Sequence, residues 1–178
     1  MRGEIDFVQS LTERVGLLKG LPEAKLAEVA QTRISLNPGA RALTATLRRH
    51  GALTVIISGG FSVFTNRVRA LAGFDRDHCN RLEVVDGRLT GRLVHPILDQ
   101  EAKRRTLVGL AAELGLDLSE TIAVGDGAND IDMIRAAGLG VAFRGKSRLR
   151  AAADAEISHG DLTALLYLQG FHASKISE

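Results

Sequence analysis

The carboxylates of one short segment, residues 121–133, have the clearest capacity for chemistry. Residues 122–124 are apolar and bounded by glycine, which predicts a buried strand, and a helical pattern follows the loop. Asp126 would lie at the carboxyl end of that strand and Asp130 at the start of the helix. A chain that reverses through Gly127 can direct both carboxylates to one point. Oxygen ligands without Cys or His neighbours favour Mg²⁺, which leaves other positions to water and a phosphate.

Two other interpretations of the same loop compete with a metal site. Asn129, Asp130 and Asp132 can cap a helix and complement its dipole without binding any ion, and this alternative stays open on the loop alone. Gly125-x-Gly127 also begins a dinucleotide-binding fingerprint. We discount that interpretation, because Asp130 stands where its third glycine belongs and Asp126 would place a negative charge against a pyrophosphate.

The composition describes a chain that can bury a core. It has 178 residues, 45% hydrophobic and 25% charged, with a formal net charge of +2, which predicts one domain or one domain with a small appendage. The basic stretch 144–150 lacks interleaved aromatic residues, so a solvated helix face is favoured over a nucleic-acid site. Cys79 is the single cysteine, and no long apolar or signal-like segment is present. We therefore expect a cytoplasmic protein with neither a membrane nor a nucleic-acid partner.

The order of helical and strand patterns predicts an α/β fold. Residues 1–36 show two helical periods separated by Gly20-Leu21-Pro22, an αα-hairpin. From residue 37 helices and strands alternate, and Asp86-Gly87 joins two of the strands as a hairpin. Further strands are expected at residues 53–57, 122–124, 139–143 and 155–157, and further helices at 61–71, 99–113 and 161–168. The expected domains are 1–36 and 37–178, the second with a mostly parallel sheet and flanking helices.

Two more segments carry chemistry suited to phosphate. Ser58-Gly59-Gly60 follows a strand pattern and offers a hydroxyl and unhindered N–H groups at the start of a predicted helix, where oxyanions bind. The competing interpretation is an ordinary glycine turn. Lys103 lies in the first turn of a helix, where a cation opposes the macrodipole unless it faces an anion. Alone it would be a surface lysine. Together with Asp126 and Asp130, these are the parts of a phosphoryl-transfer site.

With these motifs, the chain resembles the phosphoserine phosphatases of the haloacid dehalogenase superfamily. The matching residues run through most of the sequence: Met1-Arg2-Gly3-x-x-x-Phe7-x-Gln9-Ser10-Leu11, Arg14-Val15, Leu17 to Pro22, Pro38-Gly39, Ser58-Gly59-Gly60-Phe61, Asp86-Gly87-x-Leu89-Thr90-Gly91, Lys103, Ala123 to Asp130 and Ala137-Gly138. The shorter motifs mark the superfamily, and the stretch from Met1 to Pro22 narrows it to the phosphoserine branch. The fold implied is a Rossmann-like core with the remnant of a helical cap.

The resemblance implies a role for each matching residue, and O-phospho-L-serine as the small-molecule substrate of a Mg²⁺-dependent hydrolysis in serine biosynthesis. In the core, Ser58 and Gly59 would bind the phosphoryl group, Lys103 would neutralise its charge, Asp126 would ligate Mg²⁺, Asp130 would support the metal shell and Asn129 the phosphate and metal region. In the cap, Arg14 would hold the serine carboxylate, and Phe7 and Met1 would line the pocket. A guanidinium suits a carboxylate because its fork can pair bidentately.

One departure from the resemblance concerns the nucleophile. Family members carry an Asp-x-Asp-x-Thr/Ser motif on their first strand, and this sequence contains none. Its Asp-x-Asp spacings are Asp75-x-Asp77 and Asp130-x-Asp132. We therefore expect a truncated form that begins within the cap, lacks the central first strand and is inactive on its own, since hydrolysis by the family mechanism needs an aspartyl nucleophile. A non-catalytic relic that binds phospho-ligands or serves as a partner subunit, and a phosphatase for another phosphomonoester, are the alternatives. No sequence signal specifies an oligomeric state.

Overall fold

The computed structural model of the protein describes residues 7–176, which fall into two units. Unit 1 contains residues 7–36 and 55–99, and unit 2 contains residues 37–54 and 100–176. The division expected from the sequence, 1–36 and 37–178, shares the boundary after residue 36. It differs for residues 55–99, which group with the N-terminal helices because their strands form a separate sheet against which the first helix packs.

Eight α-helices and six strands are assigned in the described residues. The helices are α1 Phe7–Gly16, α2 Glu23–Arg33, α3 Ala40–Arg49, α4 Ser62–Ala72, α5 Gln100–Leu114, α6 Ile131–Ala136, α7 Ser147–Arg150 and α8 Ala164–Leu168. The strands are β1 Val55–Phe61, β2 Arg76–Val85, β3 Arg88–Val94, β4 Ile122–Gly125, β5 Leu139–Phe143 and β6 Ala155–Ile157. This is the α/β composition that the sequence predicts.

Unit 1 is built on the sheet β1-β2-β3, in which β1 and β2 are parallel and β2 and β3 antiparallel. The predicted hairpin is confirmed, because Asp86 and Gly87 both have positive φ, 49° and 70°, as a tight two-residue turn requires. Helix α1 buries Leu11 and Val15 against Leu93 of β3. Burial of these apolar side chains attaches the first helix to this sheet.

One sequence prediction in unit 1 is wrong. Ser58-Gly59-Gly60 was expected to form a loop before a helix, but these residues lie inside β1 and the helix begins at Ser62. The pairing passes from Ser58 opposite Cys79 directly to Phe61 opposite Asn80, so Gly59 and Gly60 form an irregularity in the strand. The strand continues because Phe61 still pairs with β2 and packs against the core of Leu11 and Val15.

Unit 2 is built on the parallel sheet β4-β5-β6. Its core contains Val141 and Phe143 of β5, Ile157 of β6, and Leu165 and Leu166 of α8. The strands at Leu139–Phe143 and Ala155–Ile157 have the predicted bounds. Because the strands are parallel, the carboxyl ends of β4 and β5 share one edge of the sheet, where ligands bind in folds of this kind. No helix in the described ranges is both long and apolar enough to cross a bilayer.

Candidate active site

The loop after β4 folds around the carboxylate of Asp130. This side chain is buried, and its Oδ2 accepts hydrogen bonds from the backbone N–H groups of Asp126 and Gly127, both at 3.2 Å. A β-carbon added at Gly125 would lie 2.5 Å from the Cβ of Asp130. Glycine is therefore required at position 125 by close approach, and Asp130 fixes the conformation of the loop that presents Asp126.

Lys103 of α5 forms the second contact of Asp130. Its Nζ lies 2.5 Å from Oδ1, and each side chain is 7% exposed. The alternative of a surface lysine is thus excluded. The sequence indicated that Lys103 should face an anion, and within unit 2 that anion is the carboxylate of Asp130. Each partner of this buried pair needs the other, because either one alone would be an uncompensated buried charge. The contact between the two side chains is therefore maintained.

Asp126 differs from Asp130 in its surroundings. Its side chain is exposed, and within residues 7–176 its carboxylate has neither a hydrogen-bond partner nor an ion-pair partner. Both oxygens of Asp130 are engaged, one by Lys103 and the other by the loop backbone, and the convergence of the two carboxylates on one point stays a prediction. Asp130 is placed to support the loop, and Asp126 is the carboxylate available to a ligand.

The donor set at Asp126 fits one protein ligand of Mg²⁺. This ion accepts one or two protein carboxylates and completes its coordination with water and phosphate oxygens. The single exposed carboxylate of Asp126, without a partner in the described part of the chain, meets that requirement. It does not meet that of a closed protein cage, and the described part of the chain holds no group of three or more His, Cys, Asp or Glu side chains placed to bind a metal.

A cavity of about 340 Å³ opens beside Asp126. It is lined by Asn37, Val124, Gly125, Asp126, Phe143 and Arg144. The backbone N–H of Lys146 donates to the carbonyl of Asp126 at 3.1 Å and so joins the loops that follow β4 and β5. Asn37 and Arg144 were not candidates from the sequence. The signal that could have found Arg144 is its position directly after β5, in the basic stretch assigned to a solvated helix face.

In unit 1, Gly59 lies against Phe7. A β-carbon added at Gly59 would be 3.2 Å from Cζ of Phe7, so the structure brings these two predicted binding residues together. The Ser58 hydroxyl accepts a hydrogen bond from the N–H of Gly60 at 3.0 Å. The Ser58 side chain therefore bonds to the backbone of its own strand, and Gly59 and Gly60 form a strand irregularity instead of a turn between two elements.

Asn80 holds this part of β1 and was missed by the sequence analysis. It is buried at 1% exposure, and its Nδ2 donates to the carbonyls of Gly59 at 3.0 Å and Leu98 at 3.3 Å. Its Oδ1 accepts from the N–H of Leu98 at 2.7 Å. Three hydrogen bonds from one buried amide fix the Gly59 segment, because each would be costly to leave unmade. Its one signal in the sequence was its position directly before the predicted strand that begins at Arg81.

The remaining predicted residues are less constrained. Arg14 is exposed on α1, and its Nε donates to the carbonyl of Ser10 at 3.1 Å. Asn129 is half-buried beside Gly127, where a β-carbon would come within 2.6 Å of its Oδ1. Met1 lies outside the described residues. The structure places Arg14 on the exposed surface of α1 and Asn129 in the loop that contains Asp126.

The other carboxylates of the Asp-x-Asp spacings are already engaged. Oδ2 of Asp77 accepts from the Thr65 hydroxyl at 2.6 Å, and its Oδ1 lies 3.4 Å from Nε of Arg69. Oδ2 of Asp132 accepts from the side chain of Gln100 at 2.7 Å.

Burial, with Asp77 adding to it, raises the pKa of the Cys79 thiol, so the thiol form is favoured.

Comparison with known proteins gives consistent matches. A profile of the haloacid dehalogenase-like hydrolases matches residues 4–135. A phosphoserine phosphatase of Streptomyces coelicolor is 46% identical over 176 residues, which are 99% of this chain and 43% of that protein. A phosphoserine phosphatase of Polaromonas sp. is 45% identical, over 94% of this chain and 73% of that protein. The chain thus spans less than half the length of the Streptomyces relative.

Solved structures give the same result. A phosphoserine phosphatase in a substrate-bound complex is 40% identical to this chain and superposes with a TM-score of 0.87. That match covers 93% of this chain and 79% of the other.

Proposed function

Because the chain belongs to the haloacid dehalogenase-like hydrolase family and is a homologue of the phosphoserine phosphatases, we propose that it carries the substrate- and Mg²⁺-binding residues of a phosphoserine phosphatase. The reaction is hydrolysis of O-phospho-L-serine to L-serine and phosphate. The substrate-bound homologue supports this choice among phosphomonoesters.

The observation that carries the proposal is the exposed carboxylate of Asp126, which has no partner among residues 7–176, in a loop fixed by the buried Lys103–Asp130 pair. Asp126 holds Mg²⁺, whose chemistry when bound is to neutralise charge on phosphoryl oxygens. Asp130 supports the loop, and Asn129 contributes an amide to the same region. Lys103 neutralises the phosphoryl charge, since its ammonium group has three N–H donors and the contact with Asp130 uses one of them.

The residues of unit 1 bind substrate. The N–H groups around Gly59 and the hydroxyl of Ser58 bind phosphoryl oxygens, since glycine lets a ligand approach the backbone closely. Arg14 is exposed and pairs with the serine carboxylate through its guanidinium. Phe7, packed against Gly59, contacts the substrate beside the Gly59 segment.

We infer that the 178-residue chain does not complete the reaction by itself. It contains no Asp-x-Asp-x-Thr/Ser motif, and the carboxylates of Asp77 and Asp132 are held by other side chains. Without an aspartyl nucleophile no phosphoenzyme can form by the family mechanism. In the described residues β1 is an edge strand of the sheet in unit 1, and β4 is an edge strand of the sheet in unit 2.

A fusion protein tests this function. A segment with the Asp-x-Asp-x-Thr/Ser motif, taken from a phosphoserine phosphatase, is joined ahead of residue 1, and phosphate release is measured with several monoesters. We expect Mg²⁺-dependent release, fastest from O-phospho-L-serine. A folded fusion that prefers a monoester without the amino-acid carboxylate would assign another substrate. A folded fusion that binds phosphoserine without turnover would favour the non-catalytic alternative.

A further inference from the structure

The loop that follows β5 lies next to Asp126 and has no role in the function proposed above. Arg144 comes directly after Phe143, the last residue of β5, and lines the same cavity as Asp126. The contact between the Lys146 N–H and the Asp126 carbonyl holds the two loops together. Arg144 is therefore at the sheet edge where parallel folds bind ligands.

The backbone of Arg144 is in an uncommon conformation. Its φ is 49°, in the left-handed region that favours glycine. Its N–H donates to the carbonyl of Ile157 at 2.8 Å, which fixes the backbone in that state. An arginine at a position that glycine would occupy with less strain is an observed outlier of the kind that accompanies function.

The guanidinium is also held in place. Its Nη2 donates to the carbonyl of Gly160 at 2.8 Å, and its Cζ lies 5.2 Å from the centroid of the Phe143 ring. Asp161 is a nearby anion, but its Oδ1 is taken by the N–H and hydroxyl of Thr163. Of the five donors that a guanidinium carries, Gly160 uses one, and within the described ranges no other hydrogen bond of this side chain is found.

From these contacts we propose that Arg144 is an oxyanion-binding residue of the cavity at Asp126, with a phosphate or phosphomonoester as its ligand. The inference rests on the proposed function in one respect, the Mg²⁺ at Asp126. Without that ion the Asp126 carboxylate repels a phosphate and offsets the charge of Arg144. With the ion bound the cavity is net positive, so Mg²⁺ strengthens phosphate binding.

The chain offers a variant that separates this role from a structural one. Arg144→Gly removes the guanidinium while giving position 144 the residue best suited to its φ, so the fold is retained. Arg148→Ala is the matched control, because it removes one positive charge from an exposed side chain of the same basic stretch. Arg144→Lys keeps the charge and loses the planar fork.

The experiment is a titration of the 178-residue chain with inorganic phosphate, followed by amide chemical shifts, with and without Mg²⁺. We expect amide shifts at Gly127 and at residue 144 of the wild type. Arg144→Gly should raise the Kd for phosphate about tenfold, because the loss of a charge-assisted hydrogen bond weakens binding by about that factor. The Kd should be unchanged in Arg148→Ala and intermediate in Arg144→Lys. Equal Kd values in the wild type and Arg144→Gly, or no phosphate-dependent shift in the wild type, would overturn the proposal.

The outcomes also distinguish this proposal from the proposed function. Titration with Mg²⁺ alone tests Asp126, and Asp126→Asn is its control. Phosphate shifts that depend on Arg144, with no Mg²⁺ shift at Asp126, would support the oxyanion site and contradict the metal site. If the spectrum of Arg144→Gly loses its dispersion, Arg144→Gln decides, because it removes the charge and keeps a polar side chain: a Kd equal to that of the wild type overturns the proposal.

Discussion

Nζ of Lys103 lies 2.5 Å from Oδ1 of Asp130, and both side chains are 7% exposed. The same carboxylate accepts the N–H groups of Asp126 and Gly127 with its other oxygen. One buried ion pair thus connects α5 to the loop that presents Asp126. Its removal should affect stability and the site together.

The first prediction concerns this pair. Asp130→Asn leaves Lys103 buried without a counter-charge and should lower the free energy of unfolding by about 3 kcal/mol, because breaking a buried pair strands the remaining ion. Urea denaturation measures the change. Glu101→Gln is the control, since it breaks an exposed pair with Arg104 on the same helix and should have little effect. Equal losses in the two variants would show that the buried pair contributes nothing special.

The second prediction concerns Asn80 in unit 1. Asn80→Leu keeps the branched outline of the side chain and leaves the carbonyls of Gly59 and Leu98 and the N–H of Leu98 without their partner. We expect a loss of at least about 2 kcal/mol, since each unsatisfied buried group costs about 1–3 kcal/mol. Hydrogen exchange of the Leu98 amide should accelerate as well. Asn66→Leu, on the exposed side of α4, is the control. An unchanged Leu98 exchange rate would contradict the assignment.

The third prediction is a pH dependence from Asp161. Hydrogen bonds from the hydroxyl and N–H of Thr163 lower the pKa of its carboxyl below the ordinary value of 3.8. A lowered pKa in the folded state means that the stabilisation is present above pH 3.8 and is lost as the pH falls through the lower value. The urea midpoints of wild type and Asp161→Asn should differ at pH 6 and converge at low pH. A difference that is constant across this range would rule out the linkage.

How much of the fold the sequence predicts depends on how local each signal is. The hairpin at Asp86-Gly87 and the strands Leu139–Phe143 and Ala155–Ile157 follow from turn residues and apolar runs, and the structure has them where expected. The sequence pattern predicts a strand only from Arg81, whereas β2 begins at Arg76, because the first residues of β2 are polar and pair with β1 only in the folded chain. The glycines after Ser58 suggested a loop, because a strand irregularity and a turn are both rich in glycine and their compositions do not distinguish them.

The features of the site also differ in whether the sequence predicts them. Residue types and spacing predicted Asp126, Asp130 and Lys103 as one group, and the structure brings the last two into contact. Which carboxylate turns inward was beyond the sequence, because the answer depends on the missing side chain of Gly125 and on the burial of Lys103. The positive φ of Arg144 is set by its hydrogen bond to the carbonyl of Ile157, a contact that no local pattern encodes.

The fourth prediction concerns substrate choice. In the fusion protein described above, Arg14→Ala should weaken kcat/KM for O-phospho-L-serine by about tenfold to a hundredfold, because a charge-assisted pair contributes about 1.5–3 kcal/mol. O-phosphoethanolamine, which lacks the carboxylate, should lose little. Arg14 is exposed on α1, so the substitution should leave the urea midpoint unchanged. Equal losses on both substrates would show that Arg14 does not bind the carboxylate.

The most direct test of the account is phosphate release from O-phospho-L-serine in the presence of Mg²⁺, measured on the 178-residue chain, the fusion protein, and the fusion protein with Asp126→Asn. We predict no release above background from the chain, release from the fusion, and loss of Mg²⁺ dependence together with activity in the Asp126 variant. Turnover by the chain alone, or an Asp126 variant with the activity and Mg²⁺ dependence of its parent, would contradict the account.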